Sequence, residues 1–208
     1  MSAALQPLAE SQLDEKASET LLRLRDLFGE EPVPNAFLVY ANVPAFMQDV
    51  YVNVKRFVLT AGKLDLQTKL LVAYCASLVL DCREWRDVLF AKLKAAGVAD
   101  RQIADAASIA ATCSMYNVVY TFRDLAGDES FRGMPIGLRA FAFGESRLDP
   151  GTVETINAAV SELNGCKPCT AGHVAKALTL GVSHEALLEA VHASATIAAA
   201  AVFLRAAK

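Results

Sequence analysis

Apolar residues recur at helical spacing along most of the chain, and no stretch shows the strict alternation of a half-buried strand. The first stripe, Leu13, Ala17, Leu21, Leu24, Leu27 and Phe28, predicts a helix ended by Gly29 and a Glu-Glu-Pro-Val-Pro break over 30–34. A short helix is predicted over Asn35 to Tyr40. Pro44 suits the first turn of a longer helix reaching Ala61-Gly62. Further helices are predicted from Asp65 to Leu80, from Arg83 to Ala96 with Gly97 as stop, and from Asp100 to about Tyr120. Between about 126 and 146 Gly, Asp, Ser and Pro accumulate, so a long connection follows, with at most a short helix around Ile136 to Phe143. The pattern then restarts: Asp149 to Leu163 reads as a helix stopped by Asn164-Gly165, folding back against another that starts at Cys166. The fold class is therefore all-α.

A shift of 84 positions lays the second half of this pattern on the first without a gap. Leu64-Asp65 falls on Leu148-Asp149, Thr68 on Thr152, Ser77 on Ser161, Cys82 on Cys166, Ala91-Lys92 on Ala175-Lys176, and Gly97-Val98 on Gly181-Val182. Helix starts and stops stay in register, which implies two copies of one helical-hairpin unit. The failures of the match are informative as well. Glu154 faces Leu70, Cys169 faces Trp85 and His173 faces Leu89, so the first copy carries apolar bulk where the second carries reactive groups.

Those reactive groups sit at matching levels. Glu154 lies about eleven residues before the Asn164-Gly165 turn and His173 about eight after it, roughly 12 to 17 Å along each helix. His173 also falls one turn beyond Cys169 on the same helix face. Carboxylate, imidazole and thiol are thus predicted to face one another across a single hairpin. Cys75, Cys82 and Cys113 have no such partners and read as small buried hydrophobes, and His184 and His192 as ordinary helix-face residues.

Composition narrows the class. A net charge of −3 without any basic run speaks against nucleic acid, which requires clustered Lys and Arg. No uninterrupted apolar run approaches 18 residues and no charged-then-apolar leader opens the chain, so a soluble cytoplasmic protein without a membrane segment is expected. At 54% apolar residues, some apolar surface is expected to close against further copies. Five cysteines, two of them in a CxxC, point to catalysis or metal binding rather than a structural staple.

Redox chemistry suits the CxxC. A thiol with a pKa near ~8.5 is mostly protonated at neutral pH, and three features favour thiolate: the helix start, His173, and Glu154 to orient the imidazole. One thiol would become sulfenic acid and the other would condense with it to a disulfide. The competing reading is a zinc site built from Cys166, Cys169, His173 and Glu154. Long self-sufficient helices and the lack of a second CxxC count against it.

At these residues the sequence resembles the AhpD alkylhydroperoxidases of the carboxymuconolactone-decarboxylase-like superfamily. The resemblance rests on Glu154, the run 159–166 (Ala-Val-Ser-Glu-Leu-Asn-Gly-Cys), Cys169 and His173, with a twelve-residue step from acid to first cysteine. It extends upstream through Tyr116-Asn117-Val118-Val119-Tyr120 and Gly137-Leu138-Arg139 to about Pro44. The N-terminal helix and linker over 1–43 lie outside it, and it implies an AhpD-like helical domain over 44–208. That domain would hold a degenerate copy at about 44–125, a connection at about 126–147 and a catalytic copy at 148–208. The resemblance further implies a homotrimer that reduces organic hydroperoxides, takes electrons from the dihydrolipoyl group of a lipoyl-bearing protein as reducing co-substrate, and passes them to a peroxiredoxin. Cys169 would become the sulfenic acid, Cys166 would resolve it, and Glu154 with His173 would relay protons, with no metal and no organic prosthetic group. A pure electron-transfer adaptor and a non-catalytic helical module are the alternatives. One position departs from the family: Pro168 stands where its members carry a histidine.

Overall fold

The computed structural model describes residues 4–29 and 32–207; Glu30 and Glu31 of the expected break lie outside the described residues. These residues form ten α-helices and no strand. They are α1 (Glu15–Phe28), α2 (Ala36–Tyr40), α3 (Pro44–Asn53), α4 (Leu66–Val79), α5 (Arg83–Ala95), α6 (Asp100–Leu125), α7 (Phe141–Gly144), α8 (Pro150–Leu163), α9 (Lys167–Thr179) and α10 (His184–Leu204). The protein is all-α, as the hydrophobic periodicity predicts. The single helix expected from Pro44 to 61–62 instead gives way to a π-helical turn over Val54–Val58, where Leu59 N–H donates to Val54 C=O. The sixth helix runs five residues beyond Tyr120. The short helix expected at 136–143 shrinks to the four residues of α7.

Repeat symmetry is kept to the residue. Starts of α4, α5 and α6 map onto starts of α8, α9 and α10 under the shift of 84, and the ends of α4 and α5 map onto those of α8 and α9. Local chemistry explains the match. Asp65 and Asp149 both cap their helices, accepting from the N–H of Thr68 and Thr152, and Ser183 caps α10 through Ala186 N–H. Between the copies Thr68 Oγ1 and Thr152 Oγ1 lie 3.4 Å apart, which places a pseudo-twofold axis between α4 and α8.

Helices α4 and α8 form the centre. Each is buried along almost its whole length, as a helix apolar on all sides must be. Helix α5 packs on α4, α9 on α8, and both α6 and α10 cross the central pair. By length and mean hydropathy alone α10 resembles a membrane span, but about half of it is buried against these neighbours. A carboxylate ties each copy to the other. Glu189 on α10 accepts from the N–H groups of Lys63 and Leu64 just before α4, while Asp105 on α6 accepts from Arg147 N–H just before α8. These two acids are themselves 84 positions apart.

The Glu189 strap includes a buried charge. Lys69, only 2% exposed, places Nζ 3.0 Å from both Glu189 Oε2 and Thr60 C=O. Gly62 passes so close that a Cβ there would meet a Glu189 carboxylate oxygen at 2.5 Å. Desolvation would by itself raise the Glu189 pKa, but donation from Leu64 N–H, Lys63 N–H and Lys69 outweighs it and brings the value down to about 2.

Glu189→Ala would strand the Lys69 ammonium and should cost about 3 kcal/mol in urea unfolding, the lower end for breaking a buried pair because the rim keeps some water. Because the folded-state pKa is depressed, the stabilisation from Glu189 is complete above the ordinary carboxylate range and is lost as pH falls from there toward 2. The gap between wild type and Glu189→Gln should narrow over that window; a constant gap would contradict the assignment.

Candidate active site

The turn between α8 and α9 sets the geometry. Asn164 N–H donates to Val160 C=O, Gly165 N–H to Glu162 C=O and Cys166 N–H to Ser161 C=O, with Gly165 in the left-handed region at φ +66°. Its counterpart in the first copy is Asp81, at φ +50°. The turn leaves Cys166 as the N-cap of α9 and Pro168 in the first turn, where no backbone N–H is required.

Three further groups meet here. Cys166 and Cys169 are joined in a disulfide, S–S 2.02 Å, with Cα atoms 5.3 Å apart, and both residues are buried. His173 Nδ1–H donates to Glu154 Oε2 at 2.7 Å across the hairpin. The structure thus brings Glu154 and His173 together one helical turn from Cys169. Glu154 itself is 4% exposed, and its second oxygen is taken as well: Lys176 Nζ lies 2.6 Å from Oε1. Sequence reasoning missed Lys176, although it stands three residues after His173 and seven after Cys169 on the same face of α9.

Cys169, His173 and Lys176 open into a cavity of about 410 Å³, walled by Tyr116 and Tyr120 from α6 and by Phe143 from α7. Tyr116 O–H donates to Leu138 C=O, and its ring lies 6.4 Å from that of Phe143, so the 126–147 connection is held against the opening. A second hollow shares Tyr120 and Pro168 with the first and carries Arg123, Arg132 and Lys167.

Beneath the disulfide a buried polar network fixes the turn. Asn164 Nδ2 donates to Asn117 Oδ1 at 2.9 Å and to Ser114 Oγ at 3.1 Å, and Asn117 Nδ2 donates to Ser161 Oγ at 3.0 Å. Cys113 Sγ packs 3.3 Å from Ser161 Oγ. The segment around Asn117, singled out in the sequence without a role, therefore reaches the reactive turn through Asn164 and Ser161. Among the described residues no group of three or more His, Cys, Asp or Glu is arranged to hold a metal ion.

The first copy closes the equivalent space. Leu70, Trp85 and Leu89 are all fully buried, and Trp85 Nε1–H donates to Tyr40 O–H at 2.8 Å. Phe37 packs edge-on against Trp85 and Tyr40, so α2 seals this side with an aromatic cluster, and Phe28 at the end of α1 extends it. In the second copy Cys169 faces the cavity instead.

The chain is thus a helical repeat protein whose second copy opens a CxxC disulfide beside a buried Glu–His pair, and its similarities to known proteins fall in one family of helical proteins. The model of the carboxymuconolactone decarboxylase family matches twice, over residues 45–126 and 131–208, broadly one match for each copy. Among similar curated proteins is one named alkyl hydroperoxide reductase AhpD from Brucella canis, 32% identical over 168 residues, covering 80% of this chain and 94% of that protein. Its namesake from Anaeromyxobacter sp. is 29% identical over 164 residues, covering 79% and 88%. Another, from Azorhizobium caulinodans, is 38% identical over 104 residues, covering 50% and 58%. The chain belongs to the carboxymuconolactone decarboxylase family and, within it, to the AhpD type.

Burial raises the pKa of Cys75 strongly. It also raises that of Cys113, against weaker opposing help from Ser161 and Asn117. After mild reduction of the folded protein, iodoacetamide at pH 8 should label Cys169 and spare Cys75 and Cys113 until denaturant is added. Peptide mass mapping reads the result; labelling of Cys113 in the folded protein as fast as Cys169 would contradict the assignment.

Proposed function

We propose that the chain is an alkyl hydroperoxide reductase working through the Cys166–Cys169 dithiol, with Glu154 and His173 handling its protons. The observation that carries this reading is the 2.7 Å contact from His173 Nδ1 to the buried Glu154 carboxylate, one turn from a cysteine that opens into a cavity. With Nδ1–H engaged, Nε2 remains as the imidazole's acceptor.

The cycle runs on that arrangement. In the reduced state Cys169 gives its proton to the His173 imidazole, helped by the positive end of α9, and the thiolate attacks the outer oxygen of the hydroperoxide. The O–O bond breaks, sulfur keeps one oxygen as sulfenic acid, and the leaving alkoxide takes the proton to become the alcohol. Cys166 then attacks the Cys169 sulfur, expelling the oxygen as water and closing the disulfide. A dithiol restores the reduced state by exchange through a mixed disulfide, so that hydroperoxide plus dithiol yields alcohol, water and a second disulfide.

The reducing dithiol in this reading is the dihydrolipoyl group of a lipoyl-bearing protein, and a peroxiredoxin can receive the electrons in place of free hydroperoxide. No metal or organic cofactor takes part. Assembly as a cytoplasmic homotrimer belongs to the same proposal, supported by the exposed apolar residues Val118, Phe122 and Leu125 along the far half of α6.

Thiol counting is the direct test. Of five cysteines, two should disappear per chain when the reduced protein meets one equivalent of cumene hydroperoxide, and mass mapping should place them at Cys166–Cys169. Cys169→Ser should bring hydroperoxide turnover with dihydrolipoamide to background, and Cys166→Ser should accumulate a sulfenic acid trapped by dimedone. Undiminished turnover in both variants would overturn the proposal.

A further inference from the structure

Glu154 sits where a second negative charge must form. Its carboxylate is 4% exposed on α8, and a thiolate on Cys169 would develop one turn from the imidazole it holds. Like charges in a poorly solvated site oppose each other, so an uncompensated carboxylate would work against thiolate formation. Lys176 removes that conflict. Its side chain is largely exposed, yet Nζ lies 2.6 Å from Oε1, and the residue lines the same cavity as Cys169.

The repeat separates this contact from mere inheritance. A lysine stands at the equivalent position of the first copy too, Lys92, where its ammonium lies over the Phe28 ring at 4.7 Å. Leu70 replaces the acid there, and Trp85 replaces the thiol. Both copies keep the lysine, and in the second it meets a buried carboxylate on the helix facing the CxxC.

We infer that Lys176 is a positioning residue of the redox site: its ammonium neutralises the outer oxygen of Glu154, reserves the inner oxygen for His173, and so allows Cys169 to become a thiolate. Charge accounting supports the assignment. Carboxylate and ammonium cancel, so the proton passed from Cys169 to His173 leaves an imidazolium and a thiolate as a balanced pair. Without the ammonium the carboxylate's charge is uncompensated throughout, and the new thiolate forms in a pocket that is already negative. The titratable groups facing the cavity include Cys169, His173 and Lys176 from α9, Glu154 from α8, and Cys113, Tyr116 and Tyr120 from α6, with Arg123, Asp124, Arg132 and Lys167 in the adjoining hollow; of the basic side chains, Lys176 places its amine on the Glu154 carboxylate.

This inference deepens the proposed function, resting on the same Cys169, but its test needs no hydroperoxide. In the reduced protein, the iodoacetamide rate at Cys169 is followed by mass spectrometry across pH. Lys176→Met should move the half-maximal pH up by about 1 unit, whereas Lys176→Arg should leave it near the wild-type position. In a Glu154→Gln background, where the opposing charge is gone, the same Lys176→Met change should move it by less than about 0.5 unit, the coupling of groups in direct contact. An unmoved profile in Lys176→Met, or equal shifts for Met and Arg, would overturn the inference, as would a lowered melting temperature as the sole effect. If the shifts appear while hydroperoxide turnover is absent, the peroxidase reading fails and the role of Lys176 stands.

Discussion

A carboxylate buried beside a cysteine is the constraint around which the second half of this protein is arranged. Glu154 cannot sit in the interior unless both oxygens are engaged, because an ionised group stripped of water costs several kcal/mol without partners. His173 and Lys176, one turn apart on α9, supply those partners. Their reach depends on α9 folding back along α8 at a fixed level, and that level depends on the Asn164-Gly165 turn. The turn in its own right is held by Asn117 and Ser114 from α6. Loss of any of these links would shift the imidazole relative to the disulfide.

The two copies show how one scaffold serves packing and chemistry in turn. Helix starts, the aspartate caps of α4 and α8 and even the inter-copy carboxylate straps are shared, so the backbone of the first copy could present the same triad of positions. Leu70, Trp85 and Leu89 occupy them instead, and Phe37 and Tyr40 close over the top. Filling that space gives the domain a dense aromatic anchor. Leaving its counterpart open gives the domain a cavity, walled by the connecting segment through Tyr116 and Phe143.

Much of this was legible in the sequence because it is written at helical periods. The 84-residue shift reproduces element starts to the residue, and counting levels along α8 and α9 places Glu154 opposite His173. Other features leave weaker traces. The π-helical turn at Val54–Val58 has no residue signature, since its hydrogen bonds are a choice of register within an ordinary helical stretch. The far end of α6 carries Arg123, Asp124 and exposed Phe122, so its pattern reads as surface rather than core. Lys176 was visible as the match of Lys92, but a lysine on a helix face gives no sign of whether its ammonium meets water or a buried acid. Only the approach of α8 decides that.

The central claim is that the buried carboxylate, acting through His173, enables Cys169 to react. Single-turnover oxidation of pre-reduced Glu154→Gln by one equivalent of cumene hydroperoxide tests it most directly, since the substitution keeps the shape and removes the charge. The account predicts Cys169 oxidation slower than wild type by roughly 10²–10⁴, the usual contribution of a positioned acid–base group, in a protein whose helical circular dichroism is unchanged. A rate within about twofold of wild type would contradict it.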